Sequence, residues 1–218
     1  MRALAFSVSL VTLAAACAPG AIAPPASSEP DRFATVTWTF DGDRVGGLPE
    51  GATAFSGTWA VRAEDGSPSP PNALCQTASA EFPAIQLSSD VHRDVAMTVR
   101  FKPISGRTDQ AGGVLLRIQD ANNYYIVRAN ALESNVVIFK YVAGSRTEVR
   151  QGRAVTRSGV WQELRGEVEG TMLRGYLGGA LVVEATDTTF REGRAGVWTK
   201  ADSVTCFDDA VLTPVGGR

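Results

Sequence analysis

"GGVLLRIQDANNYYIVRAN", residues 112–130, decides the fold. From Gly113 to Gln119 the side chains alternate, with Val114, Leu116 and Ile118 opposed to Leu115, Arg117 and Gln119. A polar turn, Asp120–Asn123, follows, and Asn123–Asn130 is apolar and aromatic again. A period of two is the signature of a strand with one face in the core. Upstream, Asp94–Lys102 (DVAMTVRFK) repeats it, placing Val95, Met97, Val99 and Phe101 on one side and Ala96, Thr98, Arg100 and Lys102 on the other. Downstream, Asn135–Val142 is a further strand.

Moving outward, strands are expected at Val36–Phe40, Thr58–Ala63, Ala73–Thr77, Trp161–Val168, Met172–Leu177, Leu181–Ala185, Ala195–Lys200 and Val204–Thr213. Turn signals stand between them: Ala143-Gly144-Ser145, Glu169-Gly170 and Gly178-Gly179. The last pair suits a two-residue hairpin, because primed turns need positive φ and glycine adopts it cheaply. No later stretch has a helical period. A dozen or more short strands at regular spacing predict an all-β fold, a jelly-roll sandwich of two antiparallel sheets.

The chain has 218 residues, 44% hydrophobic and 8% aromatic, enough for a substantial core. Its net charge is -2 and the charges are scattered, so the basic footprint of a nucleic-acid binder is absent and no nucleic-acid partner is expected. The N-terminus reads MRALAFSVSLVTLAAACAPG: one Arg, an apolar run from Ala3 to Ala16, then small residues, the layout of a secretory signal. The run falls short of the roughly 20 residues of a permanent membrane helix. Ala14-Ala15-Ala16-Cys17 resembles the bacterial lipobox, with its Leu one place early at Leu13. Residues 1–16 are therefore expected to be a signal peptide, with Cys17 lipidated. Ordinary cleavage after Ala16, or after Ala23, would instead release a soluble exported protein. Residues 17–32, rich in Pro, Ala and Ser, read as a flexible tether, and 33–218 as one domain. The expected location is the periplasm, outer membrane or cell surface, with the membrane reached through the lipid. Export makes Cys75 and Cys206 candidates for a disulfide worth roughly 4 to 5 kcal/mol; two buried free thiols are the alternative.

Four blocks carry a family resemblance: FDGDRVGGLPEG (40–51), GTWAV (57–61), RFKPISGRTDQAGGVLLRIQDANNYYIVRANALESNV (100–136) and AGVWTKADSVTCFDD (195–209). Together they are similar to an exported bacterial domain of the concanavalin A-like lectin/glucanase fold, the DUF1080 or 3-keto-disaccharide hydrolase domain, over about residues 36–213. The resemblance implies two curved sheets, the concave one often forming a sugar groove. Some members of the wider family cleave 3-keto-glycosides, and many have no known activity.

Several chemistries are excluded by what is missing. Retaining glucanases on this fold use a strand bearing Glu-x-Asp-x-x-Glu, and Glu163, Glu167 and Glu169 do not reproduce it. The only histidine, His92, sits in the polar link SSDVHRD and is expected in an exposed loop, which leaves no base for a Ser-His-Asp site. No resident cofactor is expected. One His and at most two thiols argue against a zinc site built from His and Cys, whereas Asp109, Asp120, Asn122 and Asn123 offer oxygen ligands for calcium, although these residue types also cap turns.

The polar faces of the middle strands are the candidate ligand surface. If their strands are adjacent, alternation brings Arg100, Arg117 and Arg128 to one face, with Tyr124 and Asn130 beside Arg128. Trp198, Lys200 and Asp202 share a face of a late strand and extend the patch. Guanidinium groups grip hydroxyl pairs or carboxylates, and aromatic rings stack on sugar faces. A solvated face of ion pairs over packed aromatics is the plainer alternative. Three functions follow: a glycan-binding envelope lipoprotein without catalysis, an enzyme acting on 3-keto-glycosides with Asp109, Asp120, Glu133 or Asp202 as base, or a structural or adhesion lipoprotein.

Overall fold

The computed structural model describes residues 33–216, so the expected signal peptide, Cys17 and the expected tether lie outside the described residues. Two antiparallel sheets account for the fold, and no helix occurs among the described residues, as the alternation predicts. The first sheet has eight strands. It runs β13 (Ala180–Thr186), β12 (Met172–Leu177), β11 (Gln162–Glu169), β6 (Val95–Ser105), β15 (Val204–Pro214), β4 (Asn72–Gln76), β3 (Trp59–Ala63), with β1 (Val36–Trp38) also on β15. The second has seven: β10 (Ser145–Arg153), β9 (Asn135–Val142), β8 (Asn123–Asn130), β7 (Ala111–Asp120), β14 (Arg194–Trp198), β5 (Ala84–Gln86) and β2 (Thr53–Ser56). Every strand expected from alternation is present within a few residues. Three were not expected: β2, β5 and β10.

The main core lies between the sheets. Val95, Met97, Val99 and Phe101 of β6 meet Val114, Leu116, Tyr125 and Val127 of β7 and β8, all essentially fully buried. Glycines set how closely the sheets approach. Gly166 and Gly175 face each other across β11 and β12. A Cβ on Gly166 would stand 2.5 Å from Val114 Cγ2, and one on Gly175 2.8 Å from Val127 Cγ1. The valine methyls of the facing sheet fill that space.

Cys75 and Cys206 are register partners on β4 and β15 and are joined by a disulfide spanning 131 positions of sequence. It closes the greater part of the folded body, which in the chain-entropy treatment stabilises it by roughly 5 kcal/mol. Phe207 and Phe101, the neighbours of Cys206 and its partner Lys102, point into the core. The disulfide therefore lies on the outer face of the eight-stranded sheet, packed with Ala73 and Trp161.

A bulge in β7 reverses the phase of that strand partway along its length. Between Leu115 and Ile118 β7 takes three steps while β14 takes two, from Gly196 to Arg194. Arg117 adopts a positive φ of 51° to absorb the extra residue. Before the bulge Leu115 is outside and Leu116 in the core; after it Ile118 is outside with Leu115. Strict alternation had put Ile118 with Leu116, so the expectation fails from Arg117 onward.

Candidate functional site: the outer face of the seven-stranded sheet

Because Tyr125, Val127 and Ala129 of β8 fill the core, Tyr124, Ile126, Arg128 and Asn130 face out. On β9 the same logic sends Val137, Phe139 and Tyr141 outward, and on β14 Trp198. Trp198, Gly113 and Arg128 are consecutive partners across β14, β7 and β8. A Cβ at Gly113 would be 3.4 Å from Trp198 Cε3, so the missing side chain makes room for the indole over β7. Trp198 and Tyr124 are covered rather than open, at 0% and 1% exposure. Phe82 stacks on Trp198 at 5.9 Å, and Tyr141 stacks on Tyr124 at 4.9 Å. Phe82 and Tyr141, in edge contact at 5.5 Å, are the half-buried rings of this group.

Two guanidinium groups sit on these rings. Arg146, on the edge strand β10 directly opposite Tyr141, places its Cζ 4.5 Å from the Phe139 centroid, 4.7 Å from Phe82 and 5.9 Å from Trp198. Arg128 Cζ lies 5.4 Å from Phe139, and its Nη1 donates to Glu133 Oε2 at 2.9 Å. Burial and then the neighbouring positive charge of Arg128 pull the Arg146 pKa below its ordinary value, against the opposing pull of Asp109, Glu133 and Glu81. Burial works to raise the Glu133 carboxyl, but the Arg128 hydrogen bond and charge override it and leave the pKa lowered. Burial, and then Tyr141, push the Tyr124 phenol well above its usual value, so it is a neutral hydroxyl at physiological pH.

Acidic and amide groups close one end. Asp109, 1% exposed, accepts from Asn130 Nδ2 at 2.7 Å and pairs with Lys200 Nζ at 2.9 Å. Asn130 Oδ1 in turn accepts the backbone N–H groups of Gln110 and Leu132, which fixes the amide. Beside this frame, Arg128 Nε, Arg146 Nη1 and Trp198 Nε1 are buried without a hydrogen-bond partner. Buried donors left unmet cost on the order of 1–3 kcal/mol each, a cost that a water or a ligand supplying the acceptor would recover.

Of the residues expected to form one ligand surface, Tyr124, Arg128, Asn130, Trp198 and Lys200 come together here. Arg100 does not: it belongs to β6, in the other layer. Arg117 does not either, because its bulge turns it to the end of the sandwich. There it is 2% exposed and donates to the carbonyls of Arg93, Phe190 and Gly170 and to Asp94. Asp202 holds the 107–109 loop, accepting the backbone N–H groups of Arg107, Thr108 and Asp109, which lower its pKa to about 2. The calcium set is split. Asp109 precedes β7 and Asp120 ends it, a strand length of about 30 Å apart. Asp120 accepts from Asn122 N and Asn123 Nδ2, so it is a turn cap. His92 is buried rather than exposed, stacked on Phe33 at 3.9 Å. The link before β2 leans on the edge of the other sheet, where Gly46 and Gly47 exchange backbone hydrogen bonds with Val61.

Reasoning from sequence missed Arg146, Phe139, Tyr141 and Phe82. The signal for three of them was present: Val137, Phe139 and Tyr141 alternate, and the Ala143-Gly144-Ser145 turn demands a returning strand that brings Arg146 beside Tyr141. Phe82 comes from a loop and left no pattern.

No protein-family model matches the chain, so the likeness to 3-keto-disaccharide hydrolase domains rests on the quoted blocks alone. Among curated proteins, a levanase of Bacillus subtilis (strain 168) is 27% identical over 153 residues, 68% of this chain. The match spans only 21% of the levanase, about a fifth of its length. Among solved structures, the carbohydrate-binding module CBM66 from Bacillus subtilis superposes with a TM-score of 0.64 at 24% identity, covering 75% of this chain and 96% of the module. A Bacillus licheniformis β-glucanase gives a TM-score of 0.54 at 12% identity, covering 86% of this chain and all of the enzyme, 100%. The chain thus has the concanavalin-like jelly-roll fold shared by carbohydrate-binding modules and glucanases.

Proposed function

We propose that this chain is a non-catalytic carbohydrate-binding domain, displayed at the cell envelope on a lipid-anchored tether, and that the outer face of the seven-stranded sheet holds the sugar. The observation that carries this reading is the pair of buried, unmet guanidinium donors, Arg128 Nε and Arg146 Nη1, set among aromatic rings and carboxylates. A sugar supplies what is missing: hydroxyl oxygens to accept from the arginines, hydroxyl hydrogens for the half-exposed Glu133, and C–H faces for Phe82 and Tyr141. Likeness to a binding module and to about a fifth of a levanase supports a module-type role and makes fructans the first ligands to try.

An enzyme acting on 3-keto-glycosides needs a base titrating near neutrality. The four candidates do not favour it. Glu133 and Asp202 are lowered, Asp109 is ion-paired and Asp120 caps a turn. Among the described residues the one carboxylate raised by burial, Asp208, lies elsewhere and is held by Ser69. Calorimetric titration with levan, inulin and β-glucan oligosaccharides tests binding, and Arg128→Ala or Arg146→Ala should weaken the ligand found by tenfold or more. Full affinity in both variants would move the site elsewhere. Monosaccharide released from 3-keto-sucrose would replace binding with catalysis, and palmitate incorporation persisting in Cys17→Ser would remove the anchor.

A further inference from the structure

The outer face of the eight-stranded sheet, on the opposite side of the sandwich, carries a second cleft of about 540 Å3. Arg100 lines it from β6, Trp161, Gln162 and Glu163 from the start of β11, Arg157 from the preceding loop and Leu177 from β12. Arg100 points there because its neighbours Val99 and Phe101 fill the core.

The charges in this cleft are not spent on one another. Arg100 is the register partner of Glu163 on β11 and of Asp208 on β15, the pairing that would ordinarily give a cross-strand ion pair. Neither forms among the described residues. The Asp208 carboxylate instead accepts from Ser69 and from the backbone of Asp209. Arg100 Nε is buried with no hydrogen-bond partner, and so is Trp161 Nε1. Arg157 projects from a loop whose geometry is fixed, since the Gln162 amide accepts from Arg157 N and donates to Arg157 O. Its side chain is exposed and makes no ion pair among the described residues.

Trp161 is held in place from behind. It packs against the Cys75–Cys206 disulfide, and Lys102 Nζ lies 5.6 Å from its ring. Lys102 itself is neutralised by Glu64 at 2.6 Å. Val155, on the cleft wall, is 71% exposed. The cleft therefore offers two unpaired guanidinium groups against one carboxylate, a pre-set indole with an unmet N–H, and exposed apolar surface.

We propose that this cleft is a second glycan-binding site, selective for a sugar that carries a carboxylate, a uronic acid. The carboxylate is gripped by Arg100 and Arg157, the ring lies against Trp161, and Glu163 accepts hydroxyl hydrogens. A neutral sugar leaves the guanidinium groups unmatched, and a bare anion has no face for the indole. This assignment does not depend on the ligand of the other face.

The test titrates the full chain with tri-galacturonic acid, following heat and tryptophan emission, beside a neutral trisaccharide and inorganic phosphate. The expected result, read in the Arg146→Ala background that disables the other face, is saturable binding of the uronate and none of the neutral trisaccharide. Arg157→Ser, a surface change that leaves the fold intact, and Arg100→Gln should each weaken it by about tenfold, the loss of one charge-assisted hydrogen bond. Trp161→Phe should weaken it and remove the emission change, while Arg146→Ala should leave it unaltered. Absence of heat with the uronate overturns the site, as does affinity unchanged in both arginine variants. In the Arg146→Ala background, equal binding of the neutral trisaccharide, or equal competition by phosphate, overturns the uronate assignment.

Discussion

Arg117 and Arg128 sit on neighbouring strands, nine-tenths or more buried, yet they do opposite things. Around Arg117, every guanidinium nitrogen is bonded: three backbone carbonyls and the Asp94 carboxylate converge on it. The adjoining end of the sandwich is closed the same way. The Tyr125 hydroxyl donates to Asp187 and accepts from Phe190 N, and Lys140 pairs with Asp187 at 2.8 Å. Burial and then Asp187 push the Tyr125 pKa up to about 12. A cleft of about 610 Å3 opens beside this network, walled in part by Arg117 and Asp187, whose bonds are already made within the protein. Around Arg128 and Arg146 donors are left over. A buried arginine is thus a strut or a ligand group according to what remains unmet, and burial by itself does not distinguish them.

The contrast predicts a double dissociation. Arg117→Ala should have the largest effect, roughly 3–5 kcal/mol of lost stability in denaturant unfolding, because three carbonyls and Asp94 lose their partner inside the protein. Sugar affinity of the remaining folded fraction should be unchanged. An Arg117→Ala protein with wild-type stability would erase the distinction. Reducing the Cys75–Cys206 disulfide should cost about as much, while leaving the Arg128 face competent when measured in native conditions.

Gly166→Ala probes the frame that both arginines share. Its new Cβ meets Val114 at 2.5 Å, and overpacking of that kind typically costs about 1–3 kcal/mol. Arg146→Ala should cost about 1 kcal/mol or less in stability, since its contacts are ring faces and it has an unmet donor, but tenfold or more in affinity. A large stability loss with affinity intact would make Arg146 a strut as well.

The smallest effect is the pH response at Glu133 and Asp202. Both carboxyls are lowered in the folded protein, so their contribution is complete above the ordinary carboxylate range and is lost as pH falls through the folded values. For Asp202 that loss runs from about 4 down to about 2. Sugar binding should therefore be flat between about pH 5 and 8 and decline only in acid, as Glu133 releases Arg128. A midpoint near neutrality would point to a different group. Asp202→Asn should narrow the acid end of the stability profile and leave the neutral affinity alone.

Much of this was legible in the chain itself. Alternation in β6, β8 and β9 is a local consequence of strand geometry, so it yielded the fold class, the core face and the outward direction of Tyr124, Arg128 and Asn130. The Cys75 and Cys206 pair was available from composition and export. What alternation could not supply was which strands are neighbours and where a strand slips. Arg100 was assigned to the wrong layer because pairing of β6 with β11 and β15 is a long-range choice. Arg117 was assigned to the wrong face because one extra residue in β7 reverses the phase, and nothing in its local sequence marks the bulge. Side-chain direction along an unbroken strand is written in the period of the sequence. Adjacency, register and the satisfaction of each buried donor depend on partners far away in the chain, and only the packed sandwich decides them.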